Sequence, residues 1–116
     1  MPCAKTPWIV ALLHRPMYSS GLLHTSDLPA REHFENLFDA NHVNLVLTGH
    51  AHNYERTYPV VNGQRTGSGP VYIVTGGGGA TLYPGFVATP AWSAMRSATH
   101  LRFRGDRGGY RSRRLR

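Results

Sequence analysis

Two histidines, His50 and His52, stand two residues apart directly after the apolar run Val43-Asn44-Leu45-Val46-Leu47-Thr48, and Gly49 introduces them. Glycine lets a backbone turn where a side chain would clash. Two imidazoles so placed can hold zinc, iron or manganese. The plainer account is a pair of polar loop residues after a strand, since short motifs also arise by chance.

A second strand end brings another histidine. Pro7-Trp8-Ile9-Val10-Ala11-Leu12-Leu13 has the composition of a buried strand, and it ends at His14-Arg15-Pro16. Open α/β sheets gather ligands at the carboxyl ends of their parallel strands. One histidine after an apolar run is commonly structural, whereas three at two strand exits form a pattern. His14, His50 and His52 are therefore expected to converge on one polar cleft.

These blocks resemble a known family. Val10-Ala11-Leu12-Leu13-His14-Arg15-Pro16-Met17-Tyr18-Ser19-Ser20 and Gly49-His50-Ala51-His52-Asn53-Tyr54-Glu55-Arg56 are similar to the last two metal-binding blocks of the purple acid phosphatases. Those belong to the calcineurin-like metallophosphoesterases. Gly69–Gly79 and Pro90-Ala91-Trp92-Ser93 resemble the C-terminal segment of the same family. The resemblance implies that His14 and His50 serve one metal and His52 a second. It implies a dinuclear centre of iron with zinc, manganese or iron, acting on a phosphate monoester through metal-bound hydroxide. His24 stands ten residues after His14, where plant members carry a histidine that contacts substrate and gives a proton to the leaving group. An ordinary exposed loop histidine is the alternative for His24.

The departure from the family matters as much. Three further blocks of the family supply a bridging carboxylate, a second Asp, the Tyr of the purple colour and an Asn ligand, and none of them occurs here. Two ions held roughly 3.5–4 Å apart clamp attacking and leaving oxygens in such sites. Three neutral imidazoles cannot easily hold two dications that close. The expectation is the C-terminal half of the family fold, binding at most one metal by itself and partnered by a missing N-terminal half.

Charge divides the 116 residues unevenly. Residues 101–116 hold seven of the 13 basic groups and one of the six acidic ones. The other six basic and five acidic groups leave residues 1–100 nearly neutral. The expected organisation is a catalytic-domain part over 1–100 and an Arg/Gly-rich tail over 101–116. The tail is read as disordered or as out of frame, with non-specific polyanion binding its expected activity. The single cysteine, Cys3, excludes an internal disulfide framework. No stretch approaches the ~20 apolar residues that span a membrane. No signal peptide is read at the front. Family resemblance implies a secreted or periplasmic setting.

The elements that must position the histidines read as α/β, a partial metallophosphoesterase sheet sandwich with a βαβ unit and further strands. Residues 8–13 and 43–48 are the first two strands. Asp27 before Pro29 suits a helix start. Ala30, Phe34, Leu37 and Phe38 fall at helical spacing, predicting a helix over 29–40 with those residues inside. Residues 57–61 are extended before the turn signal Asn62-Gly63, and 71–75 form another strand. Gly76–Gly79 lacks the Gly-Lys-Ser/Thr ending of a phosphate-binding loop and reads as a turn whose backbone passes close to its neighbours. Glu55 is expected to accept a hydrogen bond from a ligand imidazole.

Three functions compete at this level. One is part of a dinuclear-metal acid phosphatase, the second a non-catalytic remnant, the third a basic nucleic-acid-binding module acting through the tail.

Overall fold

The computed structural model describes residues 7–99; the segment 101–116 and Cys3 lie outside the described residues. Five strands form the main sheet: β1 (Val10–Leu12), β2 (Leu45–Thr48), β6 (Val71–Thr75), β3 (Tyr54–Thr57) and β7 (Ser93–Ser97), side by side in that order. β1, β2 and β6 are parallel, while β3 runs antiparallel to both β6 and β7. Asn44 stitches the parallel strands at their start. Its Oδ1 accepts from Ile9 N at 2.8 Å, its N–H donates to Ile9 O, and its carbonyl accepts from Val71 N at 3.1 Å.

One helix, α1 (Leu28–Ala40), connects β1 to β2. Asp27 caps it, with Oδ1 accepting from Ala30 N at 2.9 Å, and proline stands in the first turn where a missing N–H costs nothing. The buried stripe differs from the periodicity expectation. Phe38 is buried and Ala30 packs against the core, but Leu37 is 55% exposed and Phe34 lies at the surface, stacked on Phe38. Glu35 is buried in their place. It accepts a short hydrogen bond from the Tyr18 hydroxyl, and Arg31 lies 4.0 Å from its carboxylate and 4.2 Å over the Tyr18 ring. A paired carboxylate can occupy a position that an unpaired one cannot.

The extended stretch resolves into a two-stranded hairpin, β4 (Val60–Val61) and β5 (Gln64–Arg65). Asn62 and Gly63 both have positive φ at its turn, the pattern that matches strand twist in two-residue hairpins. Gly63 N–H donates to the Tyr18 hydroxyl oxygen at 2.9 Å, tying the hairpin to the core.

The core joins Met17, Tyr18, Phe38, Val43, Val46, Val60 and Tyr72 on one face of the sheet. The other face is open. Pairing register places Val10 beside Leu45 and Val71, and Leu12 beside Leu47, Ile73, Arg56 and Met95. Among these Leu12 is 74% and Val10 50% exposed. No helix here is long and apolar enough to cross a membrane among the described residues.

Candidate metal centre

The carboxyl ends of β1 and β2 are adjacent, so the loops leaving them start together. Leu13 N–H donates to Leu47 O at 3.0 Å and Gly49 N–H to His14 O at 2.9 Å, carrying the ladder one step past each strand. His14 Nε2 then stands 3.1 Å from His50 Nδ1. Two imidazole nitrogens bound to one tetrahedral ion, each about 2.0–2.1 Å from it, would lie roughly 3.3 Å apart. The pair therefore has the spacing of two ligands on one ion, and equally that of one neutral imidazole donating to the other.

The loop holding His50 is tightly made. His50 has φ 63°, an uncommon conformation for a residue with a side chain. Ala51 N–H donates to Gly49 O at 2.7 Å and Asn53 N–H to Ala51 O at 2.8 Å, two successive three-residue turns. Gly76 lies against this loop. A Cβ there would sit 2.3 Å from Ala51 O, so only glycine permits the approach. This is the close backbone passage that the glycine run suggested.

His24 comes from the 15–27 loop, and its ring centroid is 4.0 Å from that of His50. His52 turns aside. Its Nδ1 is 2.8 Å from Thr81 O and its ring stacks on Tyr83 at 4.0 Å. That bond fixes the hydrogen on Nδ1 and leaves Nε2 as the acceptor nitrogen. His14, His50 and His24 thus form one group, and His52 stands beside it, held by Thr81 O and the Tyr83 ring and close enough to act on the His50 imidazole.

Burial, and after it the neighbouring His24, Arg15, His14 and His52, pushes the His50 imidazole below its ordinary pKa. All four neighbours are cationic or can become so. The surroundings favour a neutral imidazole, the form that binds metal, and they favour an anion nearby. The donor set fits one transition-metal ion held by His14 and His50. It does not by itself fit a dinuclear centre, because no carboxylate joins the group. Among the described residues no set of three or more His, Cys, Asp or Glu is arranged to hold a metal.

Glu55 is not the imidazole's acceptor. It is fully buried and accepts from Ser20 N, Ser20 Oγ and Ser93 Oγ, each at 2.7 Å. Arg96 Nη1 donates to Ser20 Oγ at 3.0 Å. The carboxylate clamps the His24-bearing loop to β3 and β7. Sequence reasoning also missed Tyr83, Thr81 and Arg15 as parts of the site. Tyr83 and Thr81 belong to a long irregular segment without a pattern, and Arg15 was legible only as the neighbour of His14.

Residues 3–54 match the family described as calcineurin-like phosphoesterase. Relatives narrow the class. Purple acid phosphatase 18 of Arabidopsis thaliana is 39% identical over 101 residues, covering 82% of this chain and 23% of its own length. Purple acid phosphatase 1 of Ipomoea batatas is 36% identical over 111 residues, covering 83% and 24%. The solved structure of a purple acid phosphatase from yellow lupin (Lupinus luteus) seeds superposes with a TM-score of 0.77 at 29% identity, over 84% of this chain and 20% of that one. The chain belongs to the purple acid phosphatase family. It spans between a fifth and a quarter of the length of these relatives.

Proposed function

We propose that this chain builds one side of the active centre of an acid phosphatase that hydrolyses phosphate monoesters. His14 and His50 would hold one metal ion, and His52, with its Nδ1 engaged by Thr81 O, would offer Nε2 to a second. The observation that carries this reading is the 3.1 Å approach of His14 Nε2 to His50 Nδ1 at two adjacent parallel strand exits. When bound, the metals would supply charge stabilisation on the phosphoryl oxygens and an activated nucleophile at mild pH.

The chain's own residues do the rest. The tight turns at Gly49–Asn53 fix the backbone from which the His50 ring projects. His24, packed on His50, would bind a phosphoryl oxygen and, when protonated, give its proton to the departing alkoxide oxygen. Glu55 holds the loop that carries His24.

The same proposal assigns the missing carboxylate ligands to other sequence of the same kind, packed on the open face of the sheet. Parallel sheets are normally covered on both faces, and the side bearing Val10, Leu12, Leu45, Leu47, Val71 and Ile73 has no cover among the described residues. A secreted or periplasmic setting goes with this reading. The chain alone is expected to bind one metal and to lack turnover.

Calorimetric titration with zinc tests both halves. One ion per chain should bind, with binding lost in His14→Ala and in His50→Ala. The zinc-loaded chain should not release nitrophenol from 4-nitrophenyl phosphate. Absence of zinc binding would remove the metal-centre reading, and turnover lost on His50→Ala would show that the chain needs no complement.

A further inference from the structure

A cavity of about 400 Å³ opens beside the imidazoles, within the size range of small-ligand pockets. His24 and His50 bound it on one side. Leu23, Leu28 and Pro29 give it an apolar wall, and Arg15 is its permanent cation. The two imidazoles account for a phosphoryl group, but they do not account for Arg15.

Arg15 is placed with some care. It follows His14 directly, and Pro16, fully buried, anchors the chain behind it. Its guanidinium Nη1 lies 3.6 Å from Asp27 Oδ2, too long for a direct hydrogen bond, and its side chain is 63% exposed. Asp27 is already engaged, since its Oδ1 caps α1 through Ala30 N–H. Asp27 thus steers the guanidinium without saturating it. The planar fork of Arg matches a carboxylate through two parallel hydrogen bonds.

We infer that Arg15 is a specificity-determining residue that receives a carboxylate carried on the leaving group of the phosphate ester. The substrate class is then a phosphate monoester of a carboxylated alcohol or phenol. Its phosphoryl group faces His24 and His50, its carbon skeleton lies along Leu23, Leu28 and Pro29, and its carboxylate meets Arg15. This rests on the phosphomonoesterase reading above and adds the second anion to it.

The test is calorimetric binding to the zinc-loaded full chain, using phenyl phosphate and 4-carboxyphenyl phosphate as probes. The carboxylated ester should bind roughly tenfold more tightly, the scale of one charge-assisted pair at a partly exposed site. Arg15→Ala should erase that difference, weakening the carboxylated ester roughly tenfold more than phenyl phosphate, which loses only the general attraction of the guanidinium for an anion. Arg15→Lys, which keeps the charge but loses the fork, should retain part of the preference. Equal affinity of the parent for both esters, or equal weakening of both by Arg15→Ala, would overturn the assignment while leaving the phosphatase reading in place. Failure of both esters to bind would remove the phosphatase reading and this inference together.

Discussion

Replacing Glu55 with alanine should destabilise the fold far more than its single position suggests. Its carboxylate has no exposed surface and accepts three hydrogen bonds, from Ser20 N, Ser20 Oγ and Ser93 Oγ. Hydrogen bonds to charged groups contribute roughly 1.5–3 kcal/mol each. Simple addition overstates the loss, because removing the carboxylate also removes the cost of its desolvation, which is several kcal/mol. The two serine hydroxyls can rotate to other acceptors, but the Ser20 amide is fixed and would be left without a partner. A net loss of about 3 kcal/mol is the reasonable value. Domains of this size have roughly 5–15 kcal/mol in total, so the urea midpoint should fall by about 1–3 M. Glu55→Gln keeps the shape and an acceptor for the Ser20 amide, and should lose about 1 kcal/mol. Trp92 supplies the signal, since its ring lies 5.3 Å from that of Tyr18 in the core. The reasoning would be refuted by an alanine variant within about 0.5 kcal/mol of the parent, the range of ordinary surface changes. A glutamine variant as damaged as the alanine one would refute it too.

Two further expectations concern the His50 loop. Gly76→Ala drives a Cβ to 2.3 Å from Ala51 O and 3.1 Å from Gly49 C, both backbone atoms that must move. It should cost about 1–3 kcal/mol and weaken zinc binding, whereas Gly78→Ala, with nothing within 4 Å of the new atom, should do neither; zinc titration of the two variants separates a steric effect from a general loss of flexibility. The lowered pKa of His50, caused first by burial, means that the unfolded chain takes up its proton more readily than the folded one. Its contribution to stability is therefore intact above about pH 6.5 and is lost as pH falls through the lower folded value. Unfolding midpoints of metal-free protein between pH 7.5 and 5.5 should fall less steeply in His50→Asn, which tolerates the same positive φ, and identical slopes in the two proteins would count against it.

The parts of the fold that were legible in the sequence are those whose character is set by a local run of residues. β1, β2 and β6 are short runs of apolar residues, and an apolar run bounded by turn residues has few other uses. The start of α1 was legible because Asp27 and Pro29 act locally, through a cap and a fixed φ. Its buried face was not, because Phe34 and Leu37 have the right spacing and the wrong neighbours. Glu35 takes the inward position through Tyr18, 17 residues earlier in the chain, and such a partner leaves no trace in periodicity. β3 and β7 were missed for the same reason. Tyr54-Glu55-Arg56-Thr57 and Ser93–Ser97 are polar, and they are strands because β6 offers an edge and Glu55 bonds across to Ser93. At the site, the meeting of His14 and His50 follows from parallel pairing of two readable strands. The turning of His52 toward Thr81 and Tyr83 depends on a loop some 30 residues away whose path nothing in the sequence dictates.

The open face of the sheet and the incomplete ligand set share one physical explanation under the proposed function. Burying a Val, Leu or Met side chain contributes about 1.5–3 kcal/mol. Val10, Leu12 and Met95 are 50%, 74% and 43% exposed on the same face, so a covering layer would gain on the order of 2–5 kcal/mol from these three alone. That is a sizeable share of the stability of a domain of this size. Arg56 is exposed on the same face, paired in register with Ile73 and Met95. A second copy of the sheet would bring another Arg56 and no carboxylate, because the register positions on this face contain none. A layer with acidic side chains would satisfy Arg56, cover the apolar face and, under the proposed function, supply the carboxylates that would complete the ligand set of His14, His50 and His52. Zinc alone can act only on the last of these. It would add stability by binding the folded state, but it would leave the exposed face as it is.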